Sequence, residues 1–212
     1  MGRFTFNETG RVSKKEDIEW IRIWCENTND SLPRVALIGD SITEQTYETV
    51  KRELQGIALV DYLATSYSIL SSTYKGMVEC FLNDSKYAVV YYNYGLHAFD
   101  VSGNDYEKEY REMLKRFSAC ANVIIGLTTT VQERGDLENE SKEWTPVVKE
   151  RNLRAVKLAK EFDIPVDDLY AVSLRLGKDG KRADGVHFNE IGIEQIGKSK
   201  AKIIKSILDE IN

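Results

Sequence analysis

Apolar positions along this chain fall into two alternating kinds of run. Residues 34–38, 57–63, 87–92 and 122–127 are short, compact and rich in β-branched or aromatic side chains, which predicts buried strands. Between the last two, Tyr106, Tyr110, Met113, Leu114 and Phe117 recur at spacings of three and four and line one face of a helix. Leu153, Val156, Ala159 and Phe162 repeat that spacing before a short fifth strand at 164–166. Ile193, Ile196, Ile203, Ile207 and Ile211 then predict a long closing helix. At the other end, Ser13 and Glu16 have the spacing of a capping box, and Ile18, Ile21 and Trp24 follow at helical intervals. Residues 1–30 therefore read as an N-terminal helical extension.

Strands that alternate with helices imply crossover connections and a parallel sheet. The predicted fold class is α/β: a three-layer α/β/α flavodoxin-like sandwich around a parallel five-stranded sheet. No repeat, low-complexity tract or Pro/Gly-rich linker divides residues 1–212, so a single domain is expected. In such sheets ligands sit beyond the carboxyl ends of the strands.

Composition narrows the function classes. Hydrophobic residues make up 42% and charged residues 30%, as in ordinary globular proteins. A net charge of −5 and a pI near 5.3 argue against a nucleic-acid partner. No run approaches the roughly 18 to 20 apolar residues of a membrane span, and no signal-peptide core is visible, so a cytoplasmic location is expected. Cys25, Cys80 and Cys120 are odd in number and widely spaced, which fits buried thiols better than disulfides or zinc. With only two histidines, a histidine-rich metal site is not expected.

Three segments carry candidate chemistry. After the first strand, Gly39-Asp40-Ser41 places a hydroxyl at the start of a helix, where backbone N–H groups favour developing negative charge. The same serine is equally a plain N-cap. Near the end, Asp184 precedes His187 by three residues. Serine needs a base, and the base needs an orienting acid; this pair supplies both from one loop, though a loop histidine capping the next helix has the same appearance. The third segment is Asn93-Tyr-Gly-Leu-His97, at the end of the strand expected beside the first. Asn93 can aim an amide N–H at an oxyanion, or simply form a turn.

Gly39-Asp40-Ser41 resembles the first block of the SGNH (GDSL-type) hydrolases, and Asp184-x-x-His187 resembles their last. The likeness runs from about residue 34 to residue 197, and Thr128-Thr-Thr130, Arg151-Asn152 and Asp167-Asp-Leu-Tyr170 are similar to the later part of a bacterial branch. The resemblance implies ester hydrolysis without metal or cofactor. Ser41 is the implied nucleophile, His187 the base and Asp184 its orienting acid. Ser41, Tyr67 and Asn93 are the implied oxyanion hole, with His97 and Asp40 expected to meet substrate. Two blocks depart from the pattern: Tyr67 stands where the family usually has glycine, and Asn93-Tyr-Gly-Leu-His97 replaces Gly-x-Asn-Asp. The implied partner is a small-molecule or carbohydrate ester, with removal of short acyl groups, O-acetyl above all, as the reaction. A thioesterase, lysophospholipase or acyltransferase with the same triad, or a non-catalytic binding module, is the alternative. Tyr94 reads as packing or as cleft lining, Trp144 as a flap or a helix anchor, and the charged run 133–143 as a solvated loop.

Overall fold

The computed structural model describes residues 19–26 and 31–211. Its centre is β2 (Arg34–Gly39), whose residues Val35 to Ile38 have no exposed surface. A strand buried on both faces needs apolar side chains at consecutive positions rather than alternate ones. Val35 and Leu37 accordingly enter one core, and Ala36 and Ile38 the other. β2 pairs in parallel with β3 (Leu59–Thr65) on one side and β4 (Val89–Asn93) on the other. Beyond β4 lie β5 (Asn122–Gly126) and the two-residue β8 (Val166–Asp167), also parallel. One layer of helices contains α2 (Ser72–Asp84), α3 (Gly103–Ser118) and α4 (Thr145–Phe162); the other contains α1 (Ser41–Glu53), α5 (Leu169–Leu176) and α6 (Glu190–Ile211). This is the three-layer arrangement expected. No helix among the described residues is long and apolar enough to cross a membrane.

Five local expectations are corrected. The sheet has six strands, not five, in the order β1-β3-β2-β4-β5-β8. The additional strand is β1 (Ile21–Trp24), antiparallel to β3, in place of the predicted helix at those residues. The open edge of β3 offers unpaired backbone groups, and β-branched Ile21 and Ile23 suit an extended edge better than a helix. The Ser13–Glu16 capping box lies outside the described residues. At the far edge, Asp163 in the left-handed conformation ends α4 and Pro165 cannot donate, so the strand begins at Val166.

The charged run 133–143 is not wholly a loop: β6 (Gln132–Glu133) and β7 (Asp136–Glu140) form a hairpin that turns at Gly135, φ +86°. Leu153, predicted on the packed face of α4, is 72% exposed. The buried face instead includes Arg151 and Asn152, because two loops need their hydrogen bonds.

Helix α6 carries an equally unexpected core residue. Lys200 is fully buried, donating to Thr46 Oγ1 at 3.0 Å and Asn93 Oδ1 at 3.4 Å. Burial pushes its ammonium down to about 8, against the opposing pull of Asp40 and Asp167. In the unfolded chain the same group titrates at about 10.4. Between those values the unfolded chain binds more protons, so stability rises with pH across that interval. The melting temperature should therefore gain a rising contribution between about pH 8 and 10, and Lys200→Met should remove it; calorimetry across that range checks both.

Candidate active site

The site begins where β2 stops. A Cβ at Gly39 would lie 2.2 Å from Thr43 Oγ1 and 2.3 Å from the Asn93 carbonyl, so only glycine fits. Asp40 follows as the N-cap of α1, its Oδ1 accepting from the Ile42 amide at 3.0 Å. Ser41 is thus the first residue of a 13-residue helix, among backbone N–H groups that have no partner within the helix. The other oxygen of Asp40 accepts from the amides of Gly95 and Leu96, at 3.4 and 3.3 Å. The expectation that Asp40 meets substrate is corrected: its carboxylate is buried and engaged with backbone amides.

Residues 181–188 form a loop built to present Asp184 and His187. Gly185 has φ +76°, and a Cβ there would come within 2.3 Å of the Gln132 carbonyl. The Gly185 carbonyl accepts from the Gln132 amide at 2.8 Å, which docks the loop on β6. Asp184 Oδ1 accepts from the amides of Val186 and His187, at 2.9 and 2.8 Å. Its Oδ2 lies 2.8 Å from His187 Nδ1, and His187 Nε2 lies 3.0 Å from Ser41 Oγ. Partial burial opposes charge on Asp184, but the hydrogen bonds from the ring and amides outweigh it and hold the carboxyl below its usual range. An ionised Asp184 accepts the Nδ1 proton, which leaves Nε2 as acceptor for the serine hydroxyl. Residues 146 positions apart in the chain are in direct contact.

Sequence reasoning missed the support under this loop. Lys181 is buried, donates to the carbonyls of Thr130 and Val186 at 2.6 and 2.9 Å, and sits 3.8 Å from the Phe188 ring centre. Burial lowers it to about 7. In the sequence it belongs to a polar Gly-Lys-Asp-Gly-Lys run that reads as solvated surface.

The remaining expectations divide. Asn93 is corrected: both bonds from its Nδ2 go to backbone carbonyls, Gly126 at 3.1 Å and Leu127 at 3.3 Å, and its Oδ1 accepts from Lys200. As the last residue of β4 it faces the neighbouring strand rather than the strand ends. Tyr67 is corrected as well, because its N–H is already donated to Thr65 Oγ1 at 3.2 Å. Tyr94 is buried and donates to the Tyr67 carbonyl.

His97 is different. It stands on a loop, residues 95–98, gripped from both sides. Asp40 takes the amides of Gly95 and Leu96, while Arg151 donates to the carbonyls of Gly95 (2.9 Å), His97 (2.7 Å) and Ala98. The guanidinium is itself sandwiched near the rings of Tyr106 and Phe99. Ala98 takes the left-handed conformation, φ +53°, that this grip imposes. His97 packs near Trp20 and Tyr94 and, with Val186 and Trp144, lines a cavity of about 470 Å³. Trp144 stands at the N-cap of α4, packs on Phe99 and lines this cavity.

Two substitutions test these supports. Asp40→Ala leaves buried amides without an acceptor and should cost about 3 kcal/mol in urea unfolding. Lys181→Met leaves the carbonyls of Thr130 and Val186 without their donor and should cost about 1–3 kcal/mol in the same unfolding measurement, with faster amide exchange across residues 184–187.

No protein-family model matches the sequence, and no curated protein matches it. Solved structures do. A lipase/acylhydrolase from Enterococcus faecalis is 19% identical, with 82% of this chain and 96% of that one covered at a TM-score of 0.67. An acetylxylan esterase from Geobacillus stearothermophilus is 15% identical, covering 83% and 94% at 0.65. The catalytic domain of a peptidoglycan O-acetyltransferase from Streptococcus pneumoniae is 18% identical, covering 84% and 96% at 0.63. With the sheet order and helix layers described above, these likenesses establish that the chain has the fold of the SGNH (GDSL-type) hydrolases.

Proposed function

We propose that this protein is a serine ester hydrolase that removes short acyl groups, O-acetyl on carbohydrate being the substrate class favoured. The observation that carries this reading is the unbroken line from Asp184 through His187 to Ser41, ending at a helix N-terminus. Fold likeness to an acetylxylan esterase and an O-acetyltransferase is consistent with acetyl chemistry.

In this mechanism Ser41 Oγ attacks the ester carbonyl carbon as its proton passes to His187 Nε2. The imidazolium is held by Asp184 at Nδ1. Negative charge on the carbonyl oxygen meets the N–H groups at the start of α1 and the His97 imidazole, which takes the donor role first expected of Asn93. The C–O bond to the alcohol then breaks, and Nε2 returns its proton to the departing oxygen. Water, deprotonated by His187, attacks the acyl-serine; carboxylic acid leaves and Ser41 regains its proton. No residue change is left over at the end of the cycle.

Labelling with a fluorophosphonate, read by mass spectrometry, tests the reading directly. One label should appear on Ser41, and none in Ser41→Ala or His187→Ala. His97→Ala should still label while losing about a hundred- to a thousandfold in kcat on p-nitrophenyl acetate. An unlabelled Ser41 in folded protein, or a base role that follows His97 rather than His187, overturns it.

A further inference from the structure

Between the loops that carry His97 and His187 lies the cavity of about 470 Å³, a size that encloses a whole organic group rather than a two-carbon acyl. Apolar Leu96, Phe99, Val131, Trp144 and Val186 line it together with His97 and the carboxylate of Asp100. Phe99 and Trp144 form an aromatic corner, ring centres 4.4 Å apart and tilted by 43°. That corner is set before any ligand arrives. The Arg151 guanidinium backs Phe99 at 5.1 Å, and the Trp144 amide donates to Ser141 Oγ as α4 begins. Preset walls reduce the ordering cost of binding.

The position of the cavity says which half of an ester it receives. In the proposed reaction His187 Nε2 must return a proton to the departing alcohol oxygen, so the alcohol lies on the side of the His187 loop. Val186, next to His187, brings that loop into the cavity wall. The hydrogen bond between Gly185 and Gln132 ties the opposite wall, at Val131, to the same loop. In the proposed reaction a two-carbon acyl group, its carbonyl between the start of α1 and His97, fills little of this volume. Aromatic faces carry negative charge and attract the C–H edges of a ring, while Asp100 in the same lining disfavours an anionic group.

Resting on the esterase reading, we propose that this cavity seats the alcohol portion of the substrate, and that it selects a ring with an apolar face and no negative charge, stacked in the corner of Phe99 and Trp144. A sugar ring and a carbocycle share that chemistry.

The test measures kcat/KM by pH-stat on ethyl acetate, cyclohexyl acetate, a methyl O-acetyl-xyloside and ethyl octanoate. Ring acetates should exceed ethyl acetate by about tenfold, mostly through KM. A gain confined to the xyloside supports the proposal and names a sugar; one confined to the cyclohexyl ester supports it and names a carbocycle. In Trp144→Ala and, by filling, Val131→Phe, the ratio of ring acetate to ethyl acetate should fall toward one. Leu153→Ser, on the exposed face of the same helix, should keep it. A flat alcohol series in the wild type overturns the proposal whatever the variants do. A preference for ethyl octanoate that Trp144→Ala removes also overturns it, since the cavity then seats the acyl chain. Turnover of ethyl acetate with Ser41 labelled leaves the esterase reading standing in both cases; absence of both turnover and label removes the esterase reading and this proposal together.

Discussion

A single buried carboxylate joins the two halves of this site. Asp40 caps α1 with one oxygen and holds the amides of Gly95 and Leu96 with the other. The first contact fixes where Ser41 stands, and the second fixes the loop that carries His97. β2 and β4 are neighbours in the sheet, so the carboxylate ties the start of α1 to the loop after β4 at a fixed separation. Charge-assisted bonds to amides in a buried setting are strong, and losing one partner leaves the rest unsatisfied. That is why an acidic residue one position before Ser41 shapes the site through backbone amides alone.

Three buried cations complete the bracing. Arg151 takes the carbonyls of the His97 loop, Lys181 takes carbonyls from the Asp184–His187 loop and the segment after β5, and Lys200 reaches Thr46 and Asn93 beneath the strand ends. Loops beyond a parallel sheet expose backbone groups that no ladder satisfies. Long cationic side chains rooted in a helix or a bridge reach those groups from below. Arg151 and Lys181 also lie against aromatic faces, which lowers the cost of removing them from water. The consequence for function is a site whose loops are positioned by the scaffold, with the aromatic cavity held open beside them.

Much of this was legible in advance because it is local. Consecutive apolar residues such as Val35 to Ile38 demand a strand covered on both faces, and the spacing of Tyr106 to Phe117 demands a one-sided helix. Gly39-Asp40-Ser41 and Asp184-x-x-His187 each stood out as a short run of unusual residues. Where local signals competed, they misled. Ile21 and Trp24 sit at helical spacing, yet the unsatisfied edge of β3 claims them as strand. Leu153 fits the apolar stripe of α4, yet Arg151 and Asn152 take the buried side.

The chain by itself determined the layers and two short motifs, since hydrophobic period and the Gly39-Asp40-Ser41 and Asp184-x-x-His187 runs are properties of neighbouring positions. The meeting of Ser41 with His187, 146 positions away, was implied by the family resemblance and decided by the fold. Tertiary structure alone decided which polar side chains face inward. Asn93, Tyr67 and Asp40 looked available for chemistry and are engaged with backbone, whereas Lys181 and Lys200 looked like surface and are buried. The physical reason is that a hydrogen-bonding group is assigned by whichever unsatisfied partner folding brings within about 3 Å, and that partner is usually far away in the sequence.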